Sequence, residues 1–247
     1  MKRVVLKIRR QDAPSKPVRW ETFTIPYTRG MNVISALLHI RENPVTAGGK
    51  PTTPVAWDCN CLEEVCGACT MLINRRVRQA CSALIDQLHQ PITLEPMSKF
   101  PLVRDLVVDR SKMFETLKKI KAWIPIDGTY ALGAGPRFSI SEQQIGYPLS
   151  RCMTCGCCME ACPQVNPRSN FIGAFSIAQA RLFNLHPTGR LNAHERLEAL
   201  VGIGGATDCG NAQNCEPVCP KQIPLIASIA QVNRAITIHS IFSLFSR

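Results

Sequence analysis

The sequence lacks several features that would place it in a common class. No apolar run is long enough to cross a bilayer, which predicts that the chain is not an integral membrane protein. Its first ten residues, MKRVVLKIRR, hold no apolar signal core, so we expect no export of the Sec type. No Gly-rich dinucleotide fingerprint, Walker motif or H-E-x-x-H stretch is present. The chain therefore has no obvious substrate chemistry of its own.

A basic tail and a Lys/Arg block are also absent. The formal net charge of +11 divides into +6 over residues 1–106 and +5 over residues 107–247. A basic balance is typical of proteins that meet nucleic acid or an anionic membrane face. Because the charge is spread evenly, a dedicated nucleic-acid arm is excluded, and we expect no nucleic-acid partner.

Cysteine is what the sequence has in quantity. The 13 cysteines fall in three groups, at residues 59–81, 152–162 and 209–219. Clustered cysteines in a reducing compartment bind metal or do redox work. The long gap after Cys81 predicts two separate modules, which we place at residues 1–106 and 107–247.

The first module has the pattern of an α+β domain, and the second that of a helical one. Val4, Leu6 and Ile8 alternate as in a strand, and Asn32 is placed to cap a helix. The remaining predicted elements are strands over 18–25 and 92–94, a hairpin over 71–77, helices over 114–123, 171–185, 191–201 and 223–236, and a loop over 125–136. Within the helix over 191–201 we expect Arg196 on a polar face.

The first cysteine group has the spacing of a plant-type [2Fe–2S] site. Cys61, Cys66 and Cys69 form C-x4-C-x2-C, and Cys81 follows the last of these after eleven intervening residues. Three thiolates in one loop can wrap a small cluster, and Gly67 would let the backbone approach the inorganic sulfide. Structural zinc usually takes paired C-x2–4-C knuckles, which this loop does not have.

The second and third groups have ferredoxin-type spacing. Cys152, Cys155, Cys158 and Cys162 form C-x2-C-x2-C-x3-C-P, whose fourth cysteine serves the other cluster in two-cluster proteins. The third group repeats this spacing with Cys209, Cys215 and Cys219, but Ala212 stands where the middle cysteine belongs. The predicted ligand sets are therefore as follows: Cys152, Cys155, Cys158 and Cys219 for [4Fe–4S]; Cys162, Cys209 and Cys215 for [3Fe–4S].

A cubane with three protein ligands admits two interpretations. It can lose the iron that has no thiolate and become [3Fe–4S], or it can remain [4Fe–4S] with water or substrate on that iron. We favour [3Fe–4S], because Ala212 offers no replacement ligand. Two cysteines remain unassigned: we interpret Cys59 as a small buried hydrophobe or bystander, and Cys157 as replaceable.

The order of these motifs resembles the iron–sulfur subunit of succinate dehydrogenase and fumarate reductase (complex II). The resemblance covers nearly the whole chain and includes CLEEVCGAC at 61–69, FPLVRDLVVD at 100–109 and NAQNC at 211–215. It implies a β-grasp [2Fe–2S] ferredoxin-like domain followed by an all-α ferredoxin-type two-cluster domain. It also implies an electron relay from the FAD of a flavoprotein subunit, through the three clusters, to a quinone at membrane-anchor subunits, which in this family can hold haem b.

The same resemblance bears on the quinone and on location. Ubiquinone-reducing members tend to carry Trp and His where this chain has Pro167 and Gly210, so the sequence is more similar to the menaquinone-linked branch. On the family's geometry, Pro163, Gly210 and Ala212 are expected near the quinone. A peripheral position on the cytoplasmic face of a bacterial inner membrane is implied as well.

Three alternatives to succinate oxidation remain open at this point. The same relay could run in reverse in a quinol:fumarate reductase. A cluster-based redox sensor or nucleic-acid-binding protein is a different class, against which the missing basic arm counts. A zinc-binding module is the third, and the ferredoxin spacing disfavours it.

Overall fold

A computed structural model of the chain describes residues 2–124 and 137–245. These residues form two compact units. The first lies within Met1–Arg110 and also takes in Cys155–Glu160, whereas the second lies within Ser111–Thr154 and Ala161–Arg247. The observed division thus falls four residues after the predicted limit at 106, and it assigns part of the second cysteine group to the first unit.

A five-stranded mixed sheet forms the centre of the first unit. Its strands are β1 (Arg3–Arg10), β2 (Arg19–Pro26), β3 (Thr70–Ile73), β4 (Arg76–Gln79) and β5 (Ile92–Glu95). They lie in the order β2-β1-β5-β3-β4, with β5 parallel to β1 and the other neighbours antiparallel. A second sheet of two short strands, β6 (Leu102–Arg104) and β7 (Val107–Val108), follows.

Alternating burial along β1 builds the core of this unit. Val4, Leu6 and Ile8 are fully buried, as the period-two pattern predicts, and they pack with helix α1 (Val33–Glu42). Asn32 caps α1, because its side-chain oxygen accepts a hydrogen bond from the Ser35 backbone N–H at 2.8 Å. The predicted strand and the predicted cap are both confirmed.

The buried phase of β1 continues onto a charged residue, Arg10. Its guanidinium is fully buried and lies between two carboxylates, Glu21 and Asp105. Asp105 in turn accepts hydrogen bonds from the backbone N–H groups of Gln11 at 3.0 Å and Ala56 at 2.9 Å. A buried charge must be paired and hydrogen-bonded. The two carboxylates pair this guanidinium, but its Nε, 3.1 Å from Asp105 Oδ1, makes no well-directed hydrogen bond.

The hairpin of β3 and β4 has a two-residue turn. Asn74 and Arg75 have φ of 48° and 65°, the left-handed values that a type I′ turn requires. The Asn74 side chain holds the turn against β5, because its oxygen accepts from the Thr93 N–H at 2.8 Å. The hairpin is therefore confirmed, and it separates Cys69 from Cys81.

Helices make up the second unit. They are α2 (Ser111–Lys119), α3 (Ile140–Ser150), α5 (Ala174–Leu185), α6 (Ala193–Val201) and α7 (Leu225–Phe245); a five-residue helix, α4 (Cys157–Ala161), is divided between the two units. Helix α5 packs against α2, α3, α6 and α7. A capping box at Ser139 and Glu142 begins α3, a helix that is not among those predicted from the sequence.

Three expectations for this unit need correction or lie outside the described residues. Arg196 is not on a polar face but fully buried, because it donates to the backbone oxygens of Lys121, Gly189 and Trp123. Helix α7 continues nine residues beyond the predicted end at 236. The loop predicted over 125–136 lies outside the described residues.

Helix α7 also bears on the expectation that no segment could cross a bilayer. Its stretch Leu225–Phe242 is long and apolar enough to span a membrane by length and composition, and little of it is buried within the chain. That expectation counted only unbroken apolar residues, whereas this helix includes Gln231, Asn233 and Arg234 among its apolar side chains.

Candidate metal centres

The loop that carries Cys61 and Cys66 is wrapped around a cysteine sulfur. The backbone N–H groups of Val65 and Cys66 both donate to Cys61 Sγ at 3.2 Å, and that of Glu63 donates to the same atom at 3.4 Å. The N–H of Ala68 donates to Cys66 Sγ at 3.4 Å. The loop directs its amide dipoles at sulfur atoms, as a site for negatively charged thiolates requires.

These amides change the acidity of Cys61. Hydrogen bonds from the backbone of Glu63 and Val65 lower the pKa of the Cys61 thiol to about 7. Iron binds the thiolate rather than the thiol, so this loop is suited to a metal before any metal arrives. The donor set therefore fits the [2Fe–2S] cluster that the cysteine spacing predicts.

Cys69 and Cys81 lie next to each other at the ends of the hairpin. Cys69 immediately precedes β3 and Cys81 comes two residues after β4, so the hairpin brings both sulfurs to the same end of the sheet. Both residues are buried. Burial raises the pKa of the Cys69 thiol, and the side chain of Cys81 raises it further. The four predicted cysteines thus lie in one unit as one loop and one hairpin end.

The structure gives Gly67 a reason that the sequence did not indicate. Its φ of +71° is left-handed, and a Cβ there would lie 2.6 Å from the Cβ of Cys155. This close approach to Cys155 requires glycine by itself, and the approach to an inorganic sulfide stays a prediction. Arg110 fixes the same peptide, because its Nη1 donates to the Gly67 oxygen at 2.8 Å.

The two unassigned cysteines differ from each other. Cys59 is exposed, so its interpretation as a buried hydrophobe was wrong, whereas its interpretation as a bystander stays a prediction. Cys157 is fully buried, and a hydrogen bond between its side chain and that of Cys155 lowers the pKa of Cys155 and raises that of Cys157. Cys157 therefore occupies a packed position next to a predicted ligand.

The part of the ferredoxin run inside the first unit is held by a buried carboxylate. Glu160 accepts hydrogen bonds from the Ser98 N–H at 3.0 Å and the Lys99 N–H at 3.1 Å. Gly156 has a φ of +90° and lies against Phe100, so a side chain there would overlap the ring. Cys155 and Cys158 are thereby fixed on a short, tightly packed segment.

In the second unit, Cys215 lies within electrostatic range of Cys162 and Cys209. Burial, with a smaller contribution from the charges of these two cysteines, raises the pKa of Cys215 to about 11. The loop containing Ala212 has two left-handed residues, Asn211 at 51° and Gln213 at 60°. Ala212 is exposed and offers no ligand atom, as the sequence indicates.

The four cysteines predicted for [4Fe–4S] are divided between the two units. Cys152 and Cys219 belong to the second unit, whereas Cys155 and Cys158 belong to the first. The Ile223 N–H donates to Cys219 Sγ at 3.5 Å. Gly210 lies against the side chain of Gln164, where a Cβ would come within 2.3 Å of its Nε2, and Pro163 immediately precedes that glutamine.

Sequence reasoning missed the polar side chains that support these cysteines. Gln79 is fully buried and contacts both Cys69 Sγ, at 3.7 Å, and Cys157 Sγ, at 3.6 Å. Glu160 and Arg110 bind backbone groups close to cysteines. Only one signal could have found Gln79, namely its position two residues before Cys81 in the buried phase of a strand.

Two family models match the chain. That of the 2Fe-2S iron–sulfur cluster binding domain matches residues 5–115, and that of the 4Fe-4S dicluster domain matches residues 148–223. The predicted fold class, an α+β [2Fe–2S] domain followed by a helical two-cluster domain, is confirmed. The chain accordingly has one domain that binds [2Fe–2S] and one of the [4Fe–4S] dicluster type.

Curated relatives cover almost the same length. The succinate dehydrogenase iron–sulfur subunit of Bacillus subtilis is 59% identical over 96% of this chain and 94% of its own. The fumarate reductase iron–sulfur subunit of Haemophilus influenzae is 30% identical over 85% of this chain and 83% of its own. A solved chain of the Mycobacterium smegmatis Sdh1 complex in the apo form matches with a TM-score of 0.75 and 23% identity over 95% of each chain, which supports the fold.

The cysteine-bearing loop, the division into two units and the 59% identity all indicate the same family. The resemblance stated from the motifs is confirmed, and the chain belongs to the family of succinate dehydrogenase and fumarate reductase iron–sulfur subunits.

Proposed function

We propose that this chain relays single electrons from the FAD of a flavoprotein subunit to a quinone at membrane-anchor subunits of a succinate:quinone oxidoreductase. Oxidation of succinate to fumarate releases two electrons, and one-electron centres pass them on one at a time. When bound, the clusters supply this one-electron chemistry, with potentials set by cluster type, hydrogen bonds and exposure. The residues of this chain hold and tune those centres.

The observation that carries the proposal is the amide-lined loop around Cys61. Three backbone N–H groups that donate to one sulfur stabilise its thiolate form, whereas a protonated thiol is only a weak acceptor. We propose Cys61, Cys66, Cys69 and Cys81 as the [2Fe–2S] ligands. Zinc would be expected on paired knuckles, and this loop presents three cysteines in sequence.

We propose two further ligand sets for the dicluster part. Cys152, Cys155, Cys158 and Cys219 would bind [4Fe–4S], and Cys162, Cys209 and Cys215 would bind [3Fe–4S]. The effect of Cys162 and Cys209 on the pKa of Cys215 supports the second set. A side chain of alanine at position 212 supports three irons over four, because it leaves one corner of the cubane without a thiolate.

The chain's partners follow from the same proposal. We propose a complex with a flavoprotein and with anchor subunits that hold quinone and haem b, at the cytoplasmic face of a bacterial inner membrane. Exposed apolar side chains on α7, at Ile238, Ile241, Phe242 and Phe245, supply a surface suited to an apolar neighbour. We propose that the quinone, which we expect to be menaquinone, lies near Pro163, Gly210 and Ala212.

For the two domains we propose the limits 1–106 and 107–247.

Fumarate reduction is the second candidate. Relatives named as fumarate reductase subunits are 29–30% identical, whereas a relative named as a succinate dehydrogenase subunit is 59% identical. The higher identity favours succinate oxidation. The same cluster-binding residues would serve electron transfer in either direction.

Electron paramagnetic resonance of the intact membrane complex tests the proposal. Titration with succinate should reduce three distinct iron–sulfur centres, a quinone pool should reoxidise them, and a flavoprotein should co-purify. Iron and acid-labile sulfide should accompany the chain. Zinc without sulfide, or a chain that purifies without any flavoprotein, would contradict the proposal.

A further inference from the structure

A buried glutamine lies between two cysteines of the first unit. Gln79 ends β4, has no exposed surface, and its Nε2 donates to Thr70 Oγ1 at 2.7 Å and to Cys157 Sγ at 3.6 Å. Its Oε1 accepts from Cys69 Sγ at 3.7 Å. A buried amide needs partners for each of its polar atoms, and here all of its partners are two cysteines and a threonine.

This orientation belongs to the protonated form of Cys69. As a thiol, Cys69 has a proton to donate to Oε1. As a ligand of iron it is a thiolate, which has no proton and accepts hydrogen bonds. The amide oxygen would then face a negatively charged sulfur, which is unfavourable in a buried site of low dielectric.

Reversing the amide removes this conflict without repacking. The NH₂ and oxygen of a glutamine have nearly the same shape, so a half-turn places an N–H toward Cys69 Sγ and the oxygen toward Thr70 and Cys157. The Thr70 hydroxyl can then donate its proton to the oxygen, whereas the thiol of Cys157 keeps its hydrogen bond to Cys155. Thr70 would give up its bond to the Gly67 oxygen, but that oxygen keeps the hydrogen bond from Arg110 Nη1 at 2.8 Å.

We propose that Gln79 is a positioning residue that donates a side-chain N–H to Cys69 Sγ in the cluster-loaded protein and thereby raises the reduction potential of the [2Fe–2S] centre. The inference rests on the proposed ligand set. An N–H···S bond withdraws negative charge from the ligand sulfur, so it stabilises the reduced cluster more than the oxidised one. Because the amide is neutral, it does this without a buried charge.

Redox titration of the [2Fe–2S] resonance in the intact complex gives the first test. In Gln79→Leu we expect the ratio of oxidised to reduced cluster, at the wild-type midpoint, to rise about tenfold, which equals ~59 mV for one electron. Gln11→Leu is the matched control, because Gln11 is also a buried glutamine of this unit but donates to Pro14 and Lys16 oxygens. An unchanged potential in Gln79→Leu, with the cluster present, overturns the inference.

A second measurement on the unmutated complex does not depend on the folding of a variant. With ¹⁵N in the side-chain amide of glutamine, pulsed resonance of the reduced [2Fe–2S] cluster should show one coupled amide nitrogen. Gln79→Leu, if it assembles, should lose that coupling, and Gln11→Leu should keep it. A [2Fe–2S] signal without the coupling contradicts the role of Gln79 alone, whereas a complex without any [2Fe–2S] signal contradicts the proposed function.

Discussion

Replacing Gly67 with alanine tests how the cysteine loop is packed. Gly67 has a φ of +71°, and a Cβ at this position would lie 2.6 Å from the Cβ and 2.8 Å from the Cα of Cys155. Neither atom is the flexible end of a side chain, so the backbone of one segment must move. We therefore expect Gly67→Ala to weaken the loop by two separate effects.

The two effects can be estimated separately. A left-handed conformation costs a residue with a Cβ about 1–2 kcal/mol. Overpacking a tight contact costs about 1–3 kcal/mol more. The expected loss of roughly 2–5 kcal/mol corresponds to about a 30- to 5,000-fold change in the folded-to-unfolded ratio.

Two other glycines of the first unit serve as controls. Gly49 has a φ of +79° with nothing within 4 Å of a Cβ, and Gly48 has neither a left-handed φ nor a close neighbour. Gly49→Ala should therefore show only the conformational cost of about 1–2 kcal/mol. Gly48→Ala should be neutral or stabilise the unit by up to about 1 kcal/mol, because the unfolded chain loses freedom.

The assay is urea-induced loss of the visible [2Fe–2S] absorption in the complex purified with each variant. With a slope of about 2 kcal/mol per molar urea, the midpoint should fall by about 1–2.5 M in Gly67→Ala and by about 0.5–1 M in Gly49→Ala. Equal shifts in these two variants would refute the close contact between Gly67 and Cys155.

Three further predictions concern the other cysteines and the buried ion pair. Ala212→Cys should convert the proposed [3Fe–4S] centre to [4Fe–4S]; an unchanged three-iron resonance would argue against the placement of that site. Cys157→Ala should keep all three cluster signals, because a thiol that is not a ligand can be replaced. Cys81→Ser should selectively remove the [2Fe–2S] signal. Loss of a cluster in Cys157→Ala would show that Cys157 is a ligand. Asp105→Ala should destabilise the first unit by about 3–5 kcal/mol, because it leaves the fully buried Arg10 with Glu21 as its one remaining carboxylate. Asp12→Ala is its control, since Asp12 pairs with Arg19 at the surface, and a urea midpoint equally low in both variants would be evidence against a special role for the buried pair.

Elements with a strong local pattern were predictable from the sequence. The alternation of Val4, Leu6 and Ile8 identified β1, and Asn32 identified the start of α1. The cysteine spacing indicated the cluster types because ligands from one loop must be close in sequence, and the matching family models agree for the two domains. The assignment of single cysteines to single clusters remains a prediction.

What could not be predicted depends on contacts between distant segments. Arg196 was expected on a polar face and Arg10 was not considered, and only the folded chain shows that backbone oxygens and carboxylates surround them. The requirement for glycine at position 67 depends on its contact with Cys155, which is 88 positions away in the sequence. The end of α7 was missed because polar residues such as Thr237, His239 and Ser240 interrupt its apolar pattern, and they are spread around the helix and not gathered on one face.

Three buried or half-buried polar residues of the first unit share one property: each forms hydrogen bonds that involve a segment close to a cysteine. Asp105 binds the N–H of Ala56, five residues before Cys61, and Arg110 binds the oxygen of Gly67 between two cysteines. Glu160, two residues after Cys158, binds the backbone of Ser98 and Lys99. Buried ionic groups contribute little net stability compared with apolar residues of the same size, so stability alone does not explain them. Each of them ties a cysteine-bearing segment to the rest of the unit through directional bonds, and a metal site needs its ligands held in this way. We therefore interpret these residues as supports that keep the sulfur atoms in place while the centre they hold gains and loses an electron.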